Sequence, residues 1–210
     1  MQSTIRSDAA WVAIAQVFGV VSGFLLAVVA AESVGRDGFA VLVWLLATLT
    51  YFASLARFGS MQAAARVVHN EHSGRNDVVA LLAVPVGLAA LVSALWFAFL
   101  ESALVGRLED RALYEEVAPL VALWLPVATI APTIGSIMRA VGRFSAAAAV
   151  GDWVRRVALI VPLLVLGGTS LELLRRAAIF ALAVEYAVMM LAVVWLLRNS
   201  VGSPSGRSLG

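Results

Sequence analysis

WVAIAQVFGVVSGFLLAVVAA, residues 11–31, contains no charged side chain, and Gln16 and Ser22 are its only polar ones. At a rise of ~1.5 Å per residue a helix of that length crosses the ~30 Å hydrocarbon core of a bilayer. Working outward, residues 39–55, 78–100, 117–138, 146–166 and 177–197 are similarly apolar, and the short segments between them hold nearly all of the charge. Helices satisfy their own backbone groups inside lipid, whereas barrel strands would show alternating apolar and polar residues. The sequence therefore predicts an all-α, polytopic helical membrane protein with six transmembrane helices. They form one domain over residues 1–198. A disordered tail is expected over 199–210, where NSVGSPSGRSLG has Gly, Ser and Pro but no apolar face.

Composition agrees. Hydrophobic residues are 62% of the 210 residues and charged ones 13%, against ~45–50% and ~25% in soluble domains. Mean hydropathy is +0.95. The isoelectric point near 9.7 stems from a net charge of only +2, and no arginine cluster interleaves with exposed aromatics, so membrane lipids rather than nucleic acid are the expected partners. Cysteine is absent, which rules out a disulfide framework, a thiolate metal site and a cysteine nucleophile. His69 and His72 sit in a polar connection beside Glu71 with no third ligand on that segment. No expected span holds a histidine to activate a serine, and no glycine-rich phosphate loop occurs. Neither an enzyme, nor a metal, nor a cofactor is expected.

Every basic residue is an arginine, so the positive-inside rule reduces to counting one residue type. Arg6, Arg57, Arg66, Arg75, Arg139, Arg143, Arg155, Arg156, Arg198 and Arg207 fall at the termini and the even connections, against Arg36, Arg107, Arg111, Arg175 and Arg176 in the odd ones. Both termini are expected in the cytoplasm, and the bacterial inner membrane is the expected location.

Within the spans, Pro126, Pro132 and Gly135 mark the fourth as the most interrupted, either a hinge or a static kink. Ala15, Gly19 and Gly23 recur every four residues and make a small-residue seam where another helix can approach, flanked by Gln16 and Ser22. Ionisable groups inside a membrane are costly and point to function or to a buried partner. Glu185, near the middle of the last span, must face the bundle interior or water, as a coupling or buried polar residue; Asp152 is the other candidate acid. Arg139 and Arg143, then Asp152 and Arg156, are each four apart and share a helix face. With Arg155 these arginines are either the cationic mouth of a cavity for phosphate or pyrophosphate, or snorkelling anchors.

Residues 11–68, from AWVAIAQ-type apolar sequence through VGRDGFA (34–40) to ARFGSMQAAARVV (56–68), resemble the N-terminal part of the polysaccharide and O-antigen flippases of the multidrug/oligosaccharidyl-lipid/polysaccharide exporter superfamily. Gly35, Gly38, Gly59 and Arg66 carry that likeness. IMRAVGRFSAAAAVGDWVRRVALIVPLLVLGG (137–168) is similar to the family's fourth-to-fifth span passage through Arg139, Gly142, Arg143, Arg155 and Arg156. The resemblance implies flipping of a polyprenyl-pyrophosphate-linked saccharide for cell-surface polysaccharide biosynthesis, with Arg139, Arg143, Arg155 and Arg156 on the pyrophosphate. Family members have twelve to fourteen spans, so six amount to one lobe, which implies a homodimer, a second-lobe partner chain or a truncated half. A non-transporting membrane scaffold and a cation or drug antiporter coupled through Glu185 and Asp152 are the alternatives.

Overall fold

The computed structural model describes residues 2–57, 75–106, 111–140, 143–150, 153–166 and 170–199. Gly59, Arg66, His69, His72, Gly142, Asp152 and the expected tail from residue 200 onward lie outside the described residues. Among the described residues the ordered elements are all helical. Three helices are long and apolar enough to cross a membrane, Ala10–Arg57, Ala118–Arg139 and Leu171–Arg198, and Leu82–Ala98 is a shorter apolar one.

The first element, α1 (Gln2–Arg57), covers the first two apolar stretches. A straight helix over the 48 residues Ala10–Arg57 would reach ~72 Å, more than twice the hydrocarbon thickness. Gly35 breaks it, with φ 70° and ψ −173°, a region in which side chains with a Cβ are strained. Two arms result, residues 2–34 and 36–57, and the exposed Glu32, Arg36 and Asp37 gather at the break. Gly38 is buried there, and a Cβ on it would lie 2.7 Å from the Val34 Cβ. The turn closes only because that side chain is missing.

Next come α2 (Arg75–Leu95), which contains Pro85, a π-helical turn (Trp96–Leu100), and the short α3 (Glu101–Val105) and α4 (Arg111–Glu115). The centre of the bundle is α5 (Ala118–Ala140), on which α1, α2 and the last helix pack. Trp124, Leu125, Ile134 and Ile137 are almost wholly enclosed. Pro126 has no N–H for the Ala122 carbonyl four residues back, and Ser93 of α2 donates its hydroxyl to that oxygen at 2.9 Å. The hydroxyls of Thr129, Thr133 and Ser136 donate to carbonyls four residues earlier in the same helix, and the Trp96 indole donates to the Ala118 carbonyl at 2.9 Å. With these groups satisfied internally, α5 runs as one helix through Pro126, Pro132 and Gly135.

Residues 146–166, expected as one span, form two helices. The first, α6 (Phe144–Ala149), stops at Val150, whose N–H turns back to the Ala147 and Ala148 carbonyls. The second, α7 (Trp153–Leu166), then packs against α1 and against α8 (Leu171–Asn199). Discontinuous helices of this kind are tolerated at membrane depth only where protein or a cavity surrounds them.

Two contacts orient the bundle. The Arg143 guanidinium carbon stands 5.9 Å from the Trp195 ring centroid, and Gln16 lines the same cavity as Arg139. The beginning of α1, the end of α5 and the end of α8 therefore lie at one end of the molecule. Val20, Phe24, Leu164, Val165 and Leu191 are exposed apolar side chains on the helices, as a surface facing hydrocarbon requires.

Candidate functional site

Two polar features interrupt the apolar bundle, and neighbouring residues of α7 take part in them. The first is sealed. Glu185 is the central residue of the 29-residue α8 and is only 5% exposed, while Arg155 is 7% exposed. Arg155 Nε and Nη2 fork onto the carboxylate at 3.0–3.2 Å. The Trp124 indole N–H of α5 donates to Glu185 Oε2, and the Arg155 guanidinium carbon lies 5.6 Å from the Trp124 ring centroid. The next residue, Tyr186, donates its hydroxyl to the Leu123 carbonyl at 2.8 Å. This cluster ties α5, α7 and α8 together. A lone charge at that depth is very costly; a forked pair with an indole donor on the same carboxylate is neutral as a unit and fully hydrogen-bonded. Among the described residues every buried side-chain N or O has a hydrogen-bond partner.

The second feature is open. Between the first arm of α1, the end of α5, α6 and the start of α7 lies a cavity of about 550 Å³, inside the ~300–1,000 Å³ typical of ligand sites. Its polar lining comes from Gln16, Arg139, Trp153 and Arg156; Ala15, Gly19, Val20, Ala147 and Ala148 complete it. Arg156 Nη1 donates to the Gly19 carbonyl, which also accepts from the Ser22 hydroxyl at 3.2 Å. Arg139 Nη2 is 3.2 Å from the Ser136 hydroxyl. Among the described residues neither guanidinium has a carboxylate partner. Two cations that keep most of their N–H donors unused, in an otherwise apolar recess, make a site for an anion with several oxygens, such as a phosphate or pyrophosphate.

The small-residue seam explains how Arg156 fits. A Cβ on Gly23 would lie 2.9 Å from Arg156 Nη1, whereas one on Gly19 would meet nothing within 4 Å. The seam thus receives an arginine from α7 rather than a bare helix backbone. Its flanking Ser22 bonds within its own helix, and Gln16 faces the cavity. Gly135 lies beneath Arg139, whose Nη1 would be 3.6 Å from a Cβ placed there.

Of the four arginines expected to act together, the structure brings Arg139 and Arg156 into one recess. Arg155 lies outside it, on another face of α7 and paired with Glu185; consecutive helical residues point ~100° apart, which separates the two fates. Arg143 is exposed beside Trp195. Asp152 lies outside the described residues, so its expected pairing with Arg156 has no description. Sequence reasoning missed Trp124 and Trp153. A tryptophan in mid-span that needs a hydrogen-bond partner for its indole was the available signal, because Trp124 answers Glu185, and Trp153 donates to the Ala148 carbonyl at 2.6 Å to close one wall of the cavity. Among the described residues no group of three or more His, Asp or Glu side chains is placed to hold a metal ion.

No family model, no curated protein and no solved structure matches the chain.

Proposed function

We propose that this chain is one lobe of a flippase that moves a polyprenyl-pyrophosphate-linked saccharide across the bacterial inner membrane for cell-surface polysaccharide biosynthesis. The observation that carries the reading is the cavity with Arg139 and Arg156, two guanidiniums without carboxylate partners among the described residues. Its position at the end where α1 begins and α5 and α8 finish is the end that arginine counting assigns to the cytoplasm. In this reading there are six spans, the two arms of α1 being the first two and α6 with α7 the fifth, and both termini are cytoplasmic. The pyrophosphate rests on Arg139 and Arg156, and Arg143 attracts it from the exposed rim. Glu185 with Arg155 holds α7 against α5 and α8 while α5 bends about Pro126, Pro132 and Gly135. A second lobe, supplied by another copy or by a partner chain, completes the cavity. The glycine and arginine pattern shared with the polysaccharide flippases supports the same reading.

The test is reconstitution into liposomes with a fluorescent polyprenyl-pyrophosphate saccharide, comparing the native chain with Arg139→Gln/Arg156→Gln. At least tenfold slower translocation by the double variant is expected, with an unchanged oligomeric mass. Undiminished translocation by the double variant contradicts the reading and leaves a scaffold; none by either protein at any protein density excludes a second copy as the other lobe and leaves a partner chain.

A further inference from the structure

Beside the cationic cavity lies a separate apolar cleft of about 210 Å³, bounded by Trp11, Ile14 and Phe18 of α1, Ser145 and Ala148 of α6, and Trp153. Ala15, Ala148 and Trp153 border both spaces, so the two adjoin and share one wall. Their chemistry differs. The cavity has two guanidiniums and an amide; the cleft has the Ser145 hydroxyl and the Trp11 indole among apolar groups, and the Trp153 ring borders both. Ile14 is 47% and Phe18 57% exposed, on the outer surface of a helix whose surroundings are hydrocarbon, so the cleft opens sideways to the membrane. Phe18 and Trp153 pack against each other in its lining, with ring centroids 6.1 Å apart and planes tilted by 60°.

From this juxtaposition we infer that the cleft is the seat of the hydrocarbon chain of a lipid phosphate whose head rests on Arg139 and Arg156. The inference rests on the proposed anion site and adds to it a chain subsite and a route, sideways between α1 and α6. The cleft is smaller than the ~300 Å³ at which whole-ligand pockets begin. It holds the first segment of a chain, and the remainder continues along Ile14 and Phe18 into the bilayer. Trp153 is the partition: its indole N–H is committed to the Ala148 carbonyl, which fixes the ring as an apolar wall for the chain on one side and as the floor of the anion site on the other. Charge and hydrophobicity are thus laid out in the order in which a single-chain amphiphile presents them.

The experiment measures binding of two probes, inorganic pyrophosphate and geranylgeranyl pyrophosphate, to the full chain in nanodiscs. Four forms are compared: native, Arg156→Gln, Ile14→Ala/Phe18→Ala, and Val43→Ala as a control on an exposed face of the other arm. The chain-bearing probe should bind the native protein at least tenfold more tightly than pyrophosphate, because buried methylenes add to the head-group contacts. Ile14→Ala/Phe18→Ala should remove most of that advantage while leaving pyrophosphate binding as it was, and Arg156→Gln should weaken both. A geranylgeranyl analogue with a diazirine near the head should label residues 11–18 and 145–153. If both probes bind and the Ile14/Phe18 variant treats them as the native protein does, or if the label falls on α2 or α8, the chain subsite is wrong and the anion site stands. If neither probe binds the native chain, the anion site fails and this inference with it.

Discussion

Arg155 and Arg156 are adjacent in sequence and belong to opposite kinds of environment. Arg155 enters a sealed core where Glu185 and Trp124 use its charge and its donors. Arg156 enters an open recess where a backbone carbonyl is its hydrogen-bond acceptor. The difference teaches how an apolar bundle accommodates intramembrane charge in two ways. A charge neutralised and hydrogen-bonded inside the fold locks helices together and is unavailable to ligands; a charge at a cavity wall with no counter-ion among the described residues is available to an anion.

The comparison is broken most severely from the sealed side. Glu185→Leu leaves Arg155 as an uncompensated buried charge and is expected to lower unfolding stability by about 3–5 kcal/mol, as is Arg155→Met; the double variant should recover most of the loss, because an apolar pair can replace a buried ion pair. Denaturant unfolding in mixed micelles reads both. Equal losses in the double and the single variants would mean that packing rather than charge is at stake. On the open side, Arg156→Gln is expected to weaken pyrophosphate binding by ~10–100-fold, the ~1.5–3 kcal/mol attached to a hydrogen bond with a charged group, as read by titration calorimetry. A milder change falls on the Pro126 break in α5, where Ser93→Ala removes the donor to the Ala122 carbonyl. About 1 kcal/mol of stability should be lost there, in keeping with hydrogen bonds between membrane helices. The smallest effect belongs to Arg143→Gln, whose exposed contact with Trp195 is worth roughly 0.5 kcal/mol. Pyrophosphate affinity should then change less than for Arg156→Gln, since Arg143 is exposed and is not among the residues that line the cavity.

Much of this arrangement was legible in the residues. Long uncharged runs predict helices because lipid leaves the backbone no other solution, and the helical fold with apolar, membrane-length elements follows that expectation. The end of α6 at Ala149 was hidden: FSAAAAV has no proline and no glycine to mark it. Gly35 was legible as a connection because charges surround it. Glu185 was legible as a residue that needs a partner, but not which one, since pairing Arg155 with Glu185 depends on the depth at which α7 begins, a property of packing. For the same reason four arginines at similar spacings looked equivalent, although the ~100° turn per residue sends Arg155 inward and Arg156 to the cavity. Trp124 went unnoticed because a mid-span tryptophan looks like core until a carboxylate is found beside its indole N–H.

The most direct test of this division of labour is a thermal-unfolding measurement on the native chain, Arg155→Gln and Arg156→Gln, each with and without saturating pyrophosphate. The account predicts that Arg155→Gln lowers the ligand-free midpoint while the protein that remains folded is still stabilised by pyrophosphate. Arg156→Gln should keep a near-native midpoint and lose most of the stabilisation by ligand. The reverse pattern, or an equal loss of both properties in both variants, would contradict it.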